Sequence, residues 1–313
     1  MFRAKLKVLF LHRAGHGGRG SKIMRCDQLA AMARRVHGAR FEFEVDALPR
    51  PAQIRKKRRL IRRARNAIVI LLKRAGGALD DDELARLSHA ARGVCIDYVD
   101  AAPGGPASHI ADIHIASSFA ARDAIAASIA KPDFSYAAPG QEVMMLTHHP
   151  DPRIAWRPNA APQSFAVGYF GHPANTTAPD ELRRALWPDD RRQETMDSML
   201  RRMRATPMHY AVRRKPESAH PSFKPFTKGF NAAMCNANIL VNRDVDDAVA
   251  YLGADYPFLI PSNDPKDVRD GVERARASYG GAIWREGLDR MAAMRRACAE
   301  DRIMSEFGAI LER

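Results

Sequence analysis

Short, unbroken apolar runs alternate with helix-like stretches along almost the whole chain, and this rhythm narrows the fold more than any other feature. A run such as Ala67-Ile-Val-Ile-Leu-Leu72 puts apolar side chains on both faces of a strand, so both faces must be covered. Strands of this kind between helical segments indicate a parallel sheet with helices on each side. Strands are expected at residues 5–11, 41–45, 67–72, 93–98 and 113–116, and helices at 22–36, from Pro51 to 64, at 80–91 and at 118–129. In the helix through the block 55–65, Ile54, Leu60, Ile61 and Ala64 are expected to turn inward.

The pattern weakens between 131 and 162, where Pro132, Pro139, Pro150, Pro152, Pro158 and Pro162 leave one apolar run at 143–146. That stretch reads as a last strand followed by a linker. A second alternation then begins, with strands at 164–170, 209–212, 238–241 and 258–260. Its helices are expected at 180–186, 194–203, 227–235, 244–252 and 264–277, with one or two more from 281 onward. The expected organisation is an N-terminal Rossmann-like domain over 1–160, a second over 161–280, and C-terminal helices over 281–313 that return to the first. A length of 313 residues suffices for two domains with ordinary cores.

Composition limits the partners. The 50 basic and 36 acidic residues leave a formal charge of +14, densest in Arg55-Lys-Lys-Arg-Arg-Leu-Ile-Arg-Arg-Ala-Arg65. Nucleic acid, anionic membrane or phosphorylated substrate would be drawn to such a surface, and solvated arginines alone would give the same count. Sparse aromatic residues among the cations, and no helix-turn-helix, zinc or KH signature, argue against nucleic acid. Peripheral contact with an anionic membrane or an acidic glycan remains compatible. The brief apolar run after Met1 suits a first strand better than a secretory leader, so a cytoplasmic location is expected, at most peripheral to the inner membrane face. Cys26, Cys95, Cys235 and Cys298 are scattered without metal or redox spacing and are expected as free thiols.

Two segments carry the candidate chemistry. Gly15-His-Gly-Gly-Arg-Gly20 follows the first strand, and Ser21 is placed to cap the next helix. Glycines let backbone approach a ligand, and a helix start offers unpaired amides, so Gly17, Gly18 and Arg19 suit a substrate loop as well as a structural turn. The spacing is neither the dinucleotide fingerprint nor a P-loop. His12 and His16 are the candidate general bases there, because imidazole titrates near neutrality. Asp97 and Asp100 end a strand where ligands or backbone amides could claim them, and Asp80-Asp-Asp-Glu83 reads as a helix start. His148, beside His149 and Asp151, is a candidate substrate contact; no metal site is expected.

The sharper segment is Phe223-Lys-Pro-Phe-Thr-Lys-Gly229. Thr227 is the expected N-cap, Lys224 and Lys228 bracket it, and Arg213 and Arg214 end the preceding strand. Helix-start amides, a positive dipole end and several cations would make a cradle for a diphosphate, and a solvated lysine pair at a capped surface helix is the alternative. Asn231 is a candidate sugar contact.

These residues resemble the donor lobe of GT-B glycosyltransferases, particularly the bacterial family-1/family-4-like type. Val167-Gly-Tyr-Phe-Gly171 looks like the opening strand of that lobe, with Gly171 in the turn toward donor phosphates. Lys224-Pro-Phe-Thr-Lys228 and the following Asn231-Ala-Ala-Met-Cys-Asn-Ala-Asn-Ile-Leu-Val241 look like its lysine-bearing helix and next strand. The resemblance implies two Rossmann-like domains whose parallel sheets face each other across a cleft, and sugar transfer from a nucleotide sugar to an acceptor. It implies Lys228 and Arg213 or Arg214 on the donor diphosphate, no cofactor and no essential metal. One departure is plain: a paired-glutamate pattern common on that helix is absent, and no acidic residue follows Thr227 until Asp244. A non-catalytic interaction protein on the same scaffold is the alternative, and a polyanion-binding protein a further one.

Overall fold

A computed structural model describes residues 4–18, 20–130, 140–154, 164–187, 194–213, 223–245 and 247–313. The chain divides into two compact units: Met1–His148 with Ser222–Pro225 and Glu300–Arg313, and His149–Pro221 with Phe226–Ala299.

The first unit is a six-stranded sheet of β1 (Leu6–Arg13), β2 (Phe41–Leu48), β3 (Ile68–Leu72), β4 (Gly93–Asp97), β5 (Ile113–Ala116) and β6 (Glu142–Met145), in the order β2-β1-β3-β4-β5-β6. Every pairing is parallel. Successive side chains point to opposite faces, so the sheet feeds two cores. Val8 and Phe10 join one with Ile303, Met304 and Phe307, while Leu9 and Leu11 join the other with Leu60, Ile61 and Leu84.

The helices follow the strands in order. Helix α1 (Gly20–Lys22) runs through a π-helical stretch, Ile23–Gln28, into α2 (Leu29–His37); α3 (Ile54–Arg63), α4 (Asp81–Ala90) and α5 (Phe119–Ile129) come next. The helix is already under way at Gly20, so Ser21 lies inside it rather than capping it. Asp80 and Glu83 form a reciprocal capping box on α4, and Ser118 Oγ accepts from the Ala121 amide at α5. In α3 the inward stripe differs from the expected one. Ile54 is 53% exposed, whereas Lys57 is buried and its Nζ donates to Glu83 Oε2 at 2.5 Å. The lysine stem fills the apolar position while its ammonium reaches a carboxylate, which lets a charged residue replace the isoleucine.

The second unit has a four-stranded parallel sheet of β7 (Val167–Tyr169), β8 (Met208–Tyr210), β9 (Asn238–Asn242) and β10 (Leu259–Ile260), in the order β10-β9-β8-β7. Its helices are α6 (Asp180–Leu186), α7 (Met196–Ala205), α8 (Thr227–Met234), α9 (Ala248–Leu252), α10 (Pro265–Ala277) and α11 (Ala282–Ala297). Helix α9 begins four residues later than the expected 244, after Asp247 in a left-handed conformation (φ 57°). Asn238, buried in β9, donates from Nδ2 to the Trp284 carbonyl at 3.0 Å and ties α11 to the sheet.

The last helix, α12 (Glu300–Glu312), belongs to the first unit. Phe307 lies 5.9 Å from Phe10 and 6.2 Å from Phe43 between ring centroids. Arg35–Glu300 and Arg40–Glu312 ion pairs, both 2.6 Å, flank that contact. All four cysteines are buried and unpaired, and burial pushes each thiol up to about 12. They are therefore packing groups at neutral pH. Among the described residues no helix is long and apolar enough to cross a membrane.

Candidate functional site

Helix α8 returns after a parallel strand, so its first turn lies at the carboxyl edge of the second sheet, where open α/β sheets bind ligands. Apolar packing sets where it starts. Phe226, fully buried, occupies the cap position without a side-chain hydrogen bond, and its ring packs edge-on against Phe230 at 6.2 Å. A Cβ on Gly229 would sit 2.2 Å from that ring, so only glycine lets the phenyl group lie across the first turn. Thr227 is therefore the first helical residue, and the expected threonine cap is corrected: burying Phe226 outweighs one capping hydrogen bond.

Lys228, in the first turn, places Nζ 5.1 Å from the centroid of the Tyr169 ring. Tyr169 ends β7 and donates its hydroxyl hydrogen bond to the His172 carbonyl at 2.9 Å, which fixes the ring under the ammonium. Gly171 passes so close that a Cβ would meet Tyr169 Oη at 2.9 Å and Lys228 Nζ at 3.3 Å. Phe170, Met203, His209, Tyr210, Lys228 and Asn231 line a depression of about 230 Å³, part of it open to solvent. The room in it for water-sized spheres is only about 10 Å³, so it is a shallow, solvent-open dent beside Lys228 rather than a ligand-sized cavity.

The walls are held by their own bonds. Asn231 Oδ1 accepts from the Asp151 amide at 3.0 Å, so the side chain expected to meet a sugar also anchors a loop. Arg202 lies 4.7 Å over the Phe170 ring and is paired through two bonds, 2.8 and 2.9 Å, with Glu194. His209 Nε2 donates to the Met203 carbonyl at 2.9 Å, and its ring lies 4.7 Å from Phe170. Burial, with repulsion from Arg202 adding to it and the Met203 bond opposing, pushes the His209 imidazole down to about 4. It is neutral at pH 7. The unfolded chain protonates near 6.5 while the folded chain refuses the proton until about 4, so stability falls as pH drops through that window. Urea unfolding should show roughly 2 kcal/mol less stability at pH 5 than at pH 7 from this group. His209→Gln should remove that part; an unchanged pH dependence would show that His209 does not titrate this way.

The other expected site residues fall as follows. Arg213 is half-buried, with its amide donating to Asn242 Oδ1 at 2.9 Å; Arg214 lies outside the described residues. Lys224 is exposed and groups with the first unit, because Phe223 enters that unit's core and its carbonyl accepts from Ser118 Oγ at 3.2 Å. The unit boundary falls between Pro225 and Phe226, so Lys228, four residues on from Lys224, groups with the second unit. In the first unit β1 extends to Arg13, so His12 is a buried strand residue rather than a loop residue. Its Nδ1 donates to the Arg13 carbonyl at 3.0 Å. His16 is half-buried in the glycine loop, Gly17 and Gly18 are exposed, and Arg19 lies outside the described residues. His148 is buried, as is His149, whose Nδ1 donates to the Pro150 carbonyl at 2.7 Å. Among the described residues no group of three or more metal-ligating side chains comes together.

By sequence pattern Tyr169, Phe170, Met203 and His209 are strand or helix residues only. A signal for Tyr169 was present, an aromatic residue two positions before the glycine turn. Nothing local marked Met203, which arrives from α7.

Asp97, at the end of β4, meets Arg25 rather than standing open. Arg25 Nε donates to Asp97 Oδ2 at 2.7 Å, with both side chains buried, and Arg25 Nη1 donates to the Leu146 carbonyl at 3.1 Å. Asp97 Oδ1 also accepts from the amide of Val99, which holds a positive φ of 57°. A β-branched residue there is strained, and the carboxylate is one of the bonds that hold it.

No protein-family model matches the chain, and no curated protein matches it by sequence. Solved structures do match in three dimensions. A glycosyltransferase from Rickettsia africae superposes with a TM-score of 0.68 at 7% identity, covering 98% of both chains. Anabaena HepE, solved with UDP and glucose, gives 0.63 at 11% identity over 98% of this chain and 99% of its own. A protein named for UDP-N-acetylglucosamine 2-epimerase activity, from Listeria monocytogenes, gives 0.56 at 11% identity over 99% and 97%. Likeness at this level of identity carries the fold alone, and that fold is the GT-B arrangement of two Rossmann-like α/β units.

Proposed function

We propose that this chain is a glycosyltransferase that takes its sugar from a nucleotide-sugar donor. The observation that carries the reading is the position of Lys228, a cation in the first turn of a helix at the carboxyl edge of a parallel sheet, beside a glycine with no room for a Cβ. The first-turn amides of a helix lack intrahelical acceptors, and with a nearby ammonium they meet an anion with fixed, already oriented donors. Charge grows on the departing diphosphate as the glycosidic bond to the donor breaks, so donors fixed in advance stabilise that state more than the ground state. Lys228 and the α8 start supply this stabilisation, with Arg213 a further cation, and in this reading no metal ion is a fixed partner. The acceptor side falls to the first unit, where the loop with His16, Gly17 and Gly18 follows β1. His16 is the better base of the two expected histidines, since its ring has no hydrogen bond among the described residues. Anabaena HepE, which shares this fold, was solved with UDP and with UDP-glucose.

A second reading, binding without sugar transfer, is favoured by one observation: the eight residues of α8 carry no carboxylate. One experiment separates the two. UDP, GDP, ADP, CMP and their sugars are screened by thermal shift, and the responding nucleotide sugar is then incubated with enzyme and EDTA while released nucleoside diphosphate is followed. Ligand at 100 times its Kd stabilises by about 2.7 kcal/mol, a shift of several degrees. Release of diphosphate despite EDTA supports transfer without a metal. A shift with no release supports the binding protein, conversion to an epimeric nucleotide sugar supports an isomerase, and no shift across the panel defeats the donor site.

A further inference from the structure

The outward face of α3 has no role in the proposed sugar transfer. Arg55, Lys56, Arg58, Arg59, Arg62 and, just beyond the helix, Arg65 are exposed, and none has a side-chain partner among the described residues. Among the described residues of that surface Arg63 is the one that is paired, with Glu44 and Asp46 at 2.6 and 2.5 Å. Asp81 and Asp82, exposed at the start of neighbouring α4, form no ion pair with the row. Elsewhere in the same unit exposed arginines do pair across elements, as Arg35 does with Glu300 and Arg40 with Glu312. Arg55, Arg58, Arg59 and Arg62 recur at helical spacing and form one stripe.

The helix is fixed so that this stripe must face outward. Leu60 and Ile61 are buried in the core, and Lys57 is held by Glu83. The helix follows β2, so its first turn lies at the carboxyl edge of the sheet, the edge that also carries the exposed Arg13 and the glycine loop. Ile54 heads the stripe, 53% exposed.

We propose that this face of α3 docks the first unit on an anionic phospholipid bilayer. A row of cations on one helix face, headed by an exposed isoleucine, suits a planar layer of phosphate headgroups, where the cations meet lipid charge and the isoleucine enters the interface. Single-stranded nucleic acid would need aromatic platforms, and residues 50–66 contain no Phe, Tyr or Trp. Each cation near such a surface contributes about fivefold to partitioning, so the stripe can hold the protein to a membrane without a spanning segment.

The test is co-sedimentation of the full chain with vesicles of phosphatidylcholine alone or with 30% phosphatidylglycerol. Three proteins are compared: the wild type; the variant Arg55→Gln/Arg58→Gln/Arg59→Gln/Arg62→Gln; and a control with the same charge change on the second unit, Arg184→Gln/Arg201→Gln/Arg274→Gln/Arg296→Gln. All eight positions are exposed, and circular dichroism and the unfolding midpoint check that each variant folds. The expected result is wild-type binding only to the anionic vesicles, weakened by salt, with affinity lower by about two orders of magnitude or more in the α3 variant and largely retained in the control. Equal loss in both variants would overturn the proposal, since net charge alone would then be acting. So would unchanged binding in the α3 variant, or a wild type that ignores anionic vesicles but binds DNA or RNA at the same ionic strength.

Discussion

Replacing Lys228 by alanine should weaken nucleoside diphosphate binding by about 10- to 100-fold, the range for losing a charge-assisted contact to phosphate. The fold should survive, because the side chain is only partly buried and the helix is anchored by Phe226 and Phe230. Titration calorimetry against the nucleotide found by the thermal-shift screen reads the effect directly. Lys228→Arg should retain part of the affinity, since it keeps the charge but moves it. Gly171→Val gives an independent check, because the added side chain would enter the space held by Tyr169 Oη and Lys228 Nζ. It should weaken binding while costing about 1–3 kcal/mol through overpacking. If Lys228→Ala left every diphosphate affinity unchanged, the donor site would have to be sought elsewhere.

The largest stability effect is expected at the Arg25–Asp97 pair. Asp97→Ala would leave a buried guanidinium without its carboxylate and should cost about 3–5 kcal/mol, measured by urea unfolding. It would also remove the acceptor for the Val99 amide and loosen a strained turn at the sheet edge. The double variant Arg25→Met/Asp97→Leu should cost clearly less than the single change, because neither charge is then stranded. A single-variant cost below about 1 kcal/mol would mean that the pair is not shielded from water in solution.

Much of the scaffold was legible because its signals are local. The run at β3 is apolar throughout, which only a strand covered on both faces tolerates, and the strand falls within that run. Asp80 with Glu83, and Ser118, are complete helix-start signals within four residues, and α4 and α5 begin there. Where the local signal was weak, packing decided instead. Ser21 and Thr227 had the chemistry of caps but lie inside their helices, since a cap is worth about 1 kcal/mol and burying an aromatic ring such as Phe226 is worth more.

The surroundings of Lys228 show the same division. Its place at the start of a helix after a basic strand could be read along the chain, because helix starts and charge are properties of neighbouring residues. That Tyr169 lies beneath it, that Gly171 has no room for a methyl group, and that Lys224 goes with the other unit could not be read that way. The sequence by itself determined two successive α/β units and a cationic helix start in the second. The tertiary structure decided which cations share a surface, which histidines are buried, and that Arg25 claims Asp97 across 72 positions of chain. Periodicity and caps report energies between residues a few positions apart, whereas a site is assembled by burial and ion pairing between residues far apart in the chain, which local pattern does not encode.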